Sequence, residues 1–371
     1  MPLIKSCDVA VIGGGVVGLA AANALSERGA DVRCLEGSEP GSGQSTGRTR
    51  IFRHAHEQED RVRLAGEARV AWRRWEDRAG RRLVGDEGLL VAIDDPGALV
   101  ERLERCGVPA QVVQPPHQAE HLGLLGETRS SAVLDPGAGA IRAARTIATL
   151  VSWLGDRLVR THVFGLRTTE RGVRIETSSG IWEADRVIVC AGTQTDRLAS
   201  SLGVEIPVSL TGHLRLSFPM KERVRASCWI DHIGDFGERV YGSPVGSTGL
   251  YAIGLHGEGT DPPIAHDAPY LGAEGDPLES ADRIRGYVER AMPGLDPDPV
   301  EARMCVITAL PWGDDTFAVW QEQHATFIAG TNMFKFAPVL GTMLADAALS
   351  GRVPAQLAPP ATAAKPSRQL A

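Results

Sequence analysis

The sequence predicts an α/β protein in which a Rossmann-type dinucleotide-binding domain is combined with a second, sheet-rich domain. The first observation is a β-α-β pattern at the start of the chain, with an apolar strand at residues 8–12, a glycine-rich turn, a helix at 17–28 and a strand at 31–36. The second is that short apolar segments separated by turn residues dominate positions 208–256, which is typical of a β-sheet. A chain of 371 residues is long enough for both domains.

The turn after the first strand has the sequence GGGVVG, which fits the dinucleotide fingerprint GxGxxG. Gly13 would permit the tight turn, Gly15 would let a pyrophosphate approach the backbone, and Gly18 would let the helix pack closely on the strand. Glu36, at the end of the next strand, would accept hydrogen bonds from ribose hydroxyls. These features predict a bound dinucleotide, although FAD and NAD share the fingerprint. The alternative is a purely structural glycine turn.

The remaining segments extend the two domains. Further helices are predicted at residues 61–77, 141–154, 281–291 and 341–349, and further strands at 88–93, 163–166, 172–177, 186–192, 300–310, 316–320 and 325–329. Loops or short helices are predicted at 37–50, 94–140 and 257–280, and the Ala/Pro-rich segment 353–371 is predicted to be a disordered tail. We assign residues 1–85, 141–205 and 301–352 to the dinucleotide-binding domain, and residues 86–140 and 206–300 to the second domain.

Composition and charge argue against several functional classes. The net charge of −7 and the scattered arginines offer no basic stripe, so we expect no nucleic-acid partner. No apolar stretch approaches the roughly 20 residues that span a bilayer, so we expect no membrane association. The six cysteines form no CxxC pair, which predicts reduced thiols in the cytoplasm and gives no support for a metal site.

Several short motifs occur in order along the chain: TRIFRH at residues 49–54, VYGSP at 240–244, IGLH at 253–256, MCVIT at 304–308 and FKFAP at 334–338. With these motifs the sequence resembles the monomeric sarcosine oxidase group of the D-amino-acid oxidase superfamily, which includes N-methyltryptophan and pipecolate oxidases. The resemblance implies a D-amino-acid oxidase-like fold with a Rossmann-type FAD-binding domain and a sheet-rich substrate domain. It also implies FAD-dependent oxidation of the C–N bond of a small secondary amine or amino acid to an imine, with oxygen as acceptor.

The resemblance further implies how FAD is held. It places Cys305 where a thioether joins the protein to the flavin 8α-methyl carbon, so FAD would be covalent. The alternative is a buried structural cysteine. Further residues are predicted to line the cofactor site beside the glycine turn: Thr49, Arg50, Val163, Ala191 and Gly192.

Four residues are predicted to surround the substrate. The resemblance implies that Arg53 and Lys335 bind its carboxylate, and the fork of an arginine suits two-point recognition. The alternatives are a surface ion pair for Arg53 and a Lys335 side chain that extends to solvent. Tyr241 and His256 correspond to active-site positions near the amine end of the substrate, although a tyrosine or histidine on a strand is more often a packed, hydrogen-bonded residue.

Two departures from the family pattern affect this prediction. Ala252 stands where the family's oxidases carry a lysine that activates oxygen over the flavin, and Arg50 could supply part of that charge. Residues 330–333 replace the usual glycine-rich run and could reshape the pocket. One alternative is therefore a flavin dehydrogenase, or a tailoring enzyme for an unusual cyclic or aromatic amine, that uses an acceptor other than oxygen. Another is a flavin-binding module without turnover.

Overall fold

The structure of the protein is a computed structural model that describes residues 4–257, 263–264, 277–313 and 315–360. Up to residue 154 its elements are β1 (Lys5–Ile12), α1 (Val16–Glu27), β2 (Val32–Glu36), β3 (Thr49–Phe52), α2 (Glu59–Ala79), β4 (Leu89–Ala92), α3 (Pro96–Arg105), β5 (Gln111–Val113), α4 (Pro115–Gln118), β6 (Ala132–Asp135), β7 (Gly139–Arg142) and α5 (Ala143–Leu154). The following elements are β8 (Leu158–Arg160), β9 (Val163–Thr168), β10 (Val173–Thr177), β11 (Gly180–Val189), α6 (Thr195–Ser200), β12 (Ser209–Pro219), β13 (Cys228–Asp231), β14 (Val240–Pro244), β15 (Leu250–Leu255), α7 (Pro277–Ala291), β16 (Glu301–Ala309), β17 (Phe317–Glu322), β18 (Ala325–Gly330) and α8 (Ala337–Ser350).

The first sheet contains the predicted β-α-β unit. Its strand order is β17-β18-β11-β1-β2-β8, and the antiparallel pair β9–β10 is attached to β11. β1 pairs in parallel with both β2 and β11, and its residues 9–12 are apolar and buried, as a central parallel strand requires. Helix α1 packs closely on α8 because both contact surfaces are small: a Cβ added at Gly341 would lie 2.6 Å from Ala20.

The second sheet has the order β16-β12-β15-β14-β13-β4-β6-β5, and its pairs are antiparallel except for the parallel pair β13–β4. Helix α7 packs on it through Ile284 and Tyr287, which share an apolar cluster with Phe218 and Trp229. The indole N–H of Trp229 donates to the Tyr287 hydroxyl at 2.8 Å. The short pair β3–β7 forms a separate two-stranded sheet. The architecture, with eight strands in each sheet, agrees with the predicted combination of a Rossmann-type domain and a second, sheet-rich domain.

Several predicted boundaries are wrong, mainly where a strand pairs with a distant segment. The helix predicted from residue 141 begins at Ala143, because residues 139–142 form β7 and pair with β3. Segment 94–140, predicted as turns and short helices, contains β5 and β6, which pair with each other, and β6 also pairs with β4. The last helix starts at Ala337 rather than at 341, with a proline in its first turn.

Two further predictions fall partly on positions without a description. Of the predicted loop 257–280, residues 258–262 and 265–276 lie outside the described residues, and α7 already begins at Pro277. Of the predicted disordered tail, residues 361–371 lie outside the described residues, whereas Ala355–Leu357 form a 3-10 turn and Leu357 is buried. The domain boundaries remain predictions. β16, although inside the segment assigned to the first domain, pairs with β12 in the second sheet.

Candidate active site

A cavity of about 900 Å³ is lined by residues of both sheets. Its volume is near the upper end of the roughly 300–1,000 Å³ that is typical of ligand pockets. The predicted site residues in its lining are Gly13, Gly15, Glu36, Arg50, Arg53, Val163, Ala191, Gly192, Tyr241, His256, Cys305 and Lys335. The fold therefore gathers the predicted cofactor and substrate residues around one space. Gly18 and Thr49 are the predicted residues that do not line it.

The glycine turn has almost no room for side chains. Gly13 adopts a φ of +104°, and a Cβ there would lie 2.3 Å from the Cys190 carbonyl oxygen. A Cβ at Gly18 would lie 2.0 Å from the carbonyl oxygen of Gly13, so α1 can approach β1 only if this residue is glycine. A Cβ at Gly15 would instead meet the Ser45 hydroxyl at 3.2 Å, because this position faces the cavity. The turn thus presents bare backbone to the cavity.

Glu36 lies beside this turn at the end of β2. Its carboxylate accepts hydrogen bonds from the N–H groups of Gly14 and Ser38, both at 2.6 Å. At the N-terminus of α1, the Val16 N–H donates to Ser45 Oγ at 2.9 Å, and Ser45 also lines the cavity. A helix N-terminus at the cavity suits a pyrophosphate, and a neighbouring carboxylate suits ribose hydroxyls. The residues present therefore fit a dinucleotide with a free ribose 2′-hydroxyl.

Residues that follow the first-sheet strands complete this part of the cavity. Val163 begins β9, and Ala191 and Gly192 follow β11, whose end lies next to that of β1. Gly192 has a φ of +59°, and a Cβ there would lie 3.0 Å from Gln44 Oε1. The Gln44 side-chain amide donates to two groups of β16, both at 2.9 Å. This amide therefore ties the loop after β2 to the second sheet.

Thr49 does not line the cavity, and its assignment to the cofactor site stays a prediction. Its side chain is buried, and its hydroxyl donates to the Pro244 carbonyl at 3.0 Å and lies 3.3 Å from Ser243 Oγ. Thr49 therefore joins β3 to β14 behind the cavity wall. The next residue, Arg50, lines the cavity instead, because successive strand residues point to opposite sides.

One face of the second sheet forms a wall of the cavity. His213 on β12 lies directly opposite Cys305 on β16, and Tyr241 on β14 lies directly opposite Gly254 on β15. The Tyr241 hydroxyl is 2.7 Å from His213 Nε2, and the two rings stack with centroids 5.3 Å apart. His213 thus stands between two predicted residues, Tyr241 and Cys305.

Two arginines, the half-buried Arg50 and the buried Arg215, lie in the cavity wall and hydrogen-bond to neutral groups. Arg215 donates to the Thr49 carbonyl at 3.1 Å and to Ser243 Oγ at 3.3 Å, whereas Arg50 donates to backbone carbonyls. Burial, followed by the charge of Arg215, lowers the pKa of Arg50. Within the described part of the chain neither guanidinium pairs with a carboxylate, and Arg215 Nε has no hydrogen-bond partner. Two poorly solvated cations of this kind favour an electron-rich ligand beside them.

Arg215 also bears on the position where the family pattern has a lysine. Ala252 on β15 lies directly opposite Ser243, and Ser243 accepts a hydrogen bond from Arg215. The strand that carries Arg215 also pairs with β15, with Arg215 opposite Gly254. A guanidinium on β12 therefore places a positive charge next to Ala252.

Arg53 and Lys335 lie side by side in the cavity wall, where both contact Asp315. Arg53 Nη2 lies 2.8 Å from Asp315 Oδ2, and Lys335 Nζ lies 3.2 Å from Oδ1 and 3.3 Å from Oδ2. The Lys335 side chain is 6% exposed and that of Arg53 is 16% exposed. Neither cation extends into solvent, which argues against a surface ion pair for Arg53 and a solvent-directed Lys335.

Burial and charge set the protonation of this group. Burial lowers the pKa of Lys335 to about 8, although Asp315 opposes the shift. Burial would raise the pKa of Asp315, but the charges of Lys335 and Arg53 outweigh it and hold that pKa well below its usual range. His56 Nδ1 lies 3.1 Å from Asp315 Oδ2, and burial, then Lys335, lowers the pKa of His56 to about 3. The group therefore contains a neutral imidazole, one carboxylate and two cations at neutral pH.

Residues 330–333 line the cavity, so the predicted departure from the family pattern does fall in the pocket. Gly330 has a φ of +136°, and a Cβ there would lie 2.3 Å from the Thr316 carbonyl oxygen. Asn332 is also left-handed, with a φ of +57°. The 3-10 turn Met333–Phe336 follows, and the buried Trp72 of α2 donates its indole N–H to the Lys335 carbonyl at 2.8 Å.

His256 follows β15 and lines the cavity next to a second histidine. His256 Nε2 lies 3.0 Å from His232 Nδ1, and the rings meet edge to face with centroids 4.7 Å apart. Burial, then the charge of His256, lowers the pKa of His232 to about 3. A neutral His232 therefore orients the predicted residue His256.

Several residues of this site were not predicted from the sequence. His213 and Arg215 could have been found, because along β12 they and Ser217 alternate with apolar residues, which is the pattern of a strand with one polar face. His56 and Asp315 carry no comparable local signal. Asp315 lies two residues after Gly313 in a turn-like segment, and its partners lie elsewhere in the chain.

Other classes of site find no support in the part of the chain that the structure describes. No helix there is long and apolar enough to cross a membrane, and no cluster of His, Cys, Asp and Glu is arranged to hold a metal ion. The six cysteines are unpaired thiols.

Comparison with known proteins agrees with the geometry of the cavity. Residues 8–347 match the family DAO, FAD dependent oxidoreductase. The chain is 27% identical to the monomeric sarcosine oxidase of Bacillus sp. (strain NS-129), with 93% of each chain covered. It is 26% identical to the N-methyl-L-tryptophan oxidase of Escherichia coli O81 (strain ED1a), with 91% of this chain and 94% of that protein covered.

Among solved structures, the protein is similar to NikD, described as an unusual amino acid oxidase essential for nikkomycin biosynthesis. The TM-score is 0.85 at 25% identity, over 96% of this chain and 98% of that one. The resemblance and the fold class predicted from the sequence motifs are confirmed. The chain belongs to the DAO family of FAD-dependent oxidoreductases.

Proposed function

We propose that the protein oxidises the C–N bond of a secondary amine or amino acid to an imine, with FAD taking the electrons and oxygen as the final acceptor. The family match supports FAD-dependent redox chemistry, and the relatives support an amine as the substrate. The observation that carries the proposal is the Arg53–Lys335 pair, which lines the same cavity as the dinucleotide turn. A carboxylate bound there would hold a small amine inside the cofactor cavity.

The contribution of the chain is orientation and electrostatics. Arg53 offers a planar fork and Lys335 a point charge to the substrate carboxylate. Tyr241 and His256, each held by a histidine partner, would bound the amine end. The redox chemistry, acceptance of a hydride from the carbon next to nitrogen, would be supplied by FAD. No dedicated acid and base are required if the amine is bound in its neutral form, so positioning of the reacting atoms carries most of the effect.

The residues proposed to hold FAD surround the rest of the cavity. The glycine turn and Glu36 would bind the pyrophosphate and ribose, as the geometry of the turn allows. The other proposed contacts are Arg50, Val163, Ala191 and Gly192, all in the cavity lining.

Anaerobic reduction of the purified flavoprotein tests the proposed reaction. Sarcosine, N-methyl-L-tryptophan and a panel of cyclic and aromatic secondary amines would be mixed with it in turn. We expect at least one amine to abolish the visible absorbance of oxidised flavin. Arg53→Met and Lys335→Met should raise KM for a carboxylate-bearing substrate much more than they lower kcat. If no amine reduces the flavin, the protein is a flavin-binding module without this activity.

A flavin dehydrogenase is the second candidate, because Ala252 lacks the cation that the family pattern places there. The buried Arg215 beside Ala252 supports oxygen as the acceptor, since it brings a positive charge to the same region. Mixing the reduced flavoprotein with air-saturated buffer separates the two candidates. Reoxidation within seconds supports an oxidase, and reoxidation over many minutes supports a dehydrogenase.

We also propose that FAD is attached covalently through Cys305. This residue lines the cavity on β16, directly opposite His213. Denaturation followed by mass spectrometry of the peptides should find the FAD mass on the peptide that contains Cys305. Cys305→Ala should release FAD on denaturation, and release from the unaltered protein would contradict the tether.

The unpaired thiols support a reducing compartment such as the cytoplasm, which cell fractionation would test.

A further inference from the structure

The side-chain carboxylate of Asp315 already occupies the proposed binding site of the substrate carboxylate. Asp315 contacts Arg53 through Oδ2 and contacts Lys335 through both oxygens. We infer that Asp315 is an internal competitor, so that a substrate or inhibitor carboxylate binds Arg53 and Lys335 only when it displaces the Asp315 side chain. This inference rests on the proposed function, because it takes Arg53 and Lys335 to be the carboxylate site.

The contacts of Asp315 are those that a ligand carboxylate would make. Both of its oxygens are used, at 2.8 Å to Arg53 and at 3.2 and 3.3 Å to Lys335. The Lys335 ammonium is nearly buried, and Asp315 itself lines the cavity with its side chain 20% exposed. The Asp315 carboxylate therefore lies where a carboxylate that enters the cavity can reach it.

The Asp315 carboxylate and a ligand carboxylate cannot both bind Arg53 and Lys335 without strong electrostatic repulsion. The charged groups that face Asp315 are Arg53 and Lys335, with Arg61 acting at longer range, while His56 is neutral. A second carboxylate on the same two cations would lie within a few ångströms of Asp315, where like charges repel strongly in a poorly solvated site. Asp315 would have to take up a proton or leave, and its cation contacts favour the ionised form. Departure of the side chain is the outcome that keeps both charges paired or solvated.

The backbone at Asp315 is suited to such a departure. Asp315 has a φ of +57°, a left-handed conformation that is uncommon for a residue with a side chain, and Gly313 has a φ of +124°. The turn is closed by the Thr316 hydroxyl, which donates to the Gly313 carbonyl at 2.6 Å. This hydrogen bond does not involve the Asp315 carboxylate. The side chain can therefore rotate away from Arg53 and Lys335 without breaking the turn.

The consequence is that the site binds carboxylate ligands more weakly than two free cations would. If Asp315 contacts the two cations most of the time, the apparent Kd for a carboxylate ligand rises in inverse proportion to the fraction of time in which the cations are free. If Asp315 leaves Arg53 and Lys335 free for about one-tenth of the time, the apparent Kd is about tenfold weaker than the intrinsic Kd. An amine without a carboxylate need not displace Asp315 and escapes this penalty.

Titration of the flavin-loaded protein with acetate and acetamide tests the inference. Binding is followed by the change in flavin absorbance, so the readout does not depend on turnover. In Asp315→Asn, whose side chain tolerates a positive φ, we expect the Kd for acetate to fall by about tenfold or more. The Kd for acetamide should change little, because this neutral isostere gains nothing from the vacated cations. Asp315→Gly, which also accepts the backbone conformation, serves as a second variant if the first is poorly folded.

Glu238→Gln is the matched control. Glu238 is a partly buried carboxylate that pairs with Arg283 and does not line the cavity. Its removal should leave both Kd values unchanged. An acetate Kd that stays constant or rises in a folded Asp315 variant would overturn the inference. Failure of the proposed function is a different result, because then no amine reduces the flavin of the unaltered protein, whatever acetate does.

Discussion

Gly254 lies directly opposite Tyr241 in the β14–β15 pair, and its missing side chain is what leaves room for the Tyr241 ring. A Cβ at Gly254 would lie 2.9 Å from that ring and 2.7 Å from His213 Nε2. The glycine therefore allows the stacked Tyr241–His213 pair to lie flat against the sheet.

We expect Gly254→Ala to displace this pair and to lower kcat/KM by about 100-fold, the scale of loss that follows when reacting groups are misplaced by about 1 Å. Steady-state kinetics with the best amine measures the loss. Gly66→Ala is the control, because it lies on α2 with no atom near the added methyl group. That change should leave activity intact and stabilise the helix by up to about 1 kcal/mol. Equal activity in the two variants would show that the Tyr241–His213 geometry does not matter.

Arg215 should make the bound flavin easier to reduce. Reduction adds negative charge to the flavin ring, and a buried guanidinium in the wall of the proposed flavin site stabilises that charge. We expect Arg215→Met to lower the reduction potential by on the order of 30 mV, equivalent to about a tenfold change in the two-electron equilibrium. Reoxidation by oxygen should slow in parallel. Arg167→Met is the control, because Arg167 is exposed and pairs with Glu176. An unchanged potential in Arg215→Met would place the cation away from the flavin.

Lys335 should make carboxylate binding depend on pH. Its pKa is lowered to about 8, so the ammonium is charged below this pH and becomes neutral as the pH rises through it. The affinity for acetate should therefore be highest below about pH 8 and fall above it, by up to about tenfold per pH unit. His56 stays neutral and Asp315 stays ionised over this range, so the change belongs to Lys335.

Titrations of the flavin-loaded protein with acetate from roughly pH 6 to 10 measure this dependence. Lys335→Met should bind acetate weakly and without a change of slope near pH 8. A slope that persists in this variant would assign the titration to another group.

A residue of this site could be predicted from the sequence where its role depends on its neighbours in the chain, and not where its role depends on contacts with distant segments. Gly13, Gly15 and Gly18 could be predicted because their spacing alone sets the turn, the approach to the cavity and the helix packing. Arg53 and Lys335 were found through their motifs, since nothing local brings two residues so far apart in sequence together. Asp315 was not predicted, because its role arises from contacts that form only in the folded chain. The same holds for the start of α5, which depends on the pairing of β7 with β3.

The hydrogen bond between Trp72 and Lys335 connects the stability of the protein to its carboxylate site. Trp72 is fully buried, and its indole N–H donates to the Lys335 carbonyl at 2.8 Å. Trp72→Phe keeps most of the apolar volume but leaves this carbonyl without its donor, which costs about 1–3 kcal/mol in the free energy of unfolding. Because the carbonyl belongs to the turn that carries Lys335, we expect acetate binding to weaken while FAD content is unchanged. Denaturant unfolding and acetate titration measure the two effects.

Trp75→Phe is the control, because Trp75 lies on the same helix with its ring against Trp72 and Trp153. Equal losses of acetate affinity in both variants would show that helix packing, and not the hydrogen bond, positions Lys335.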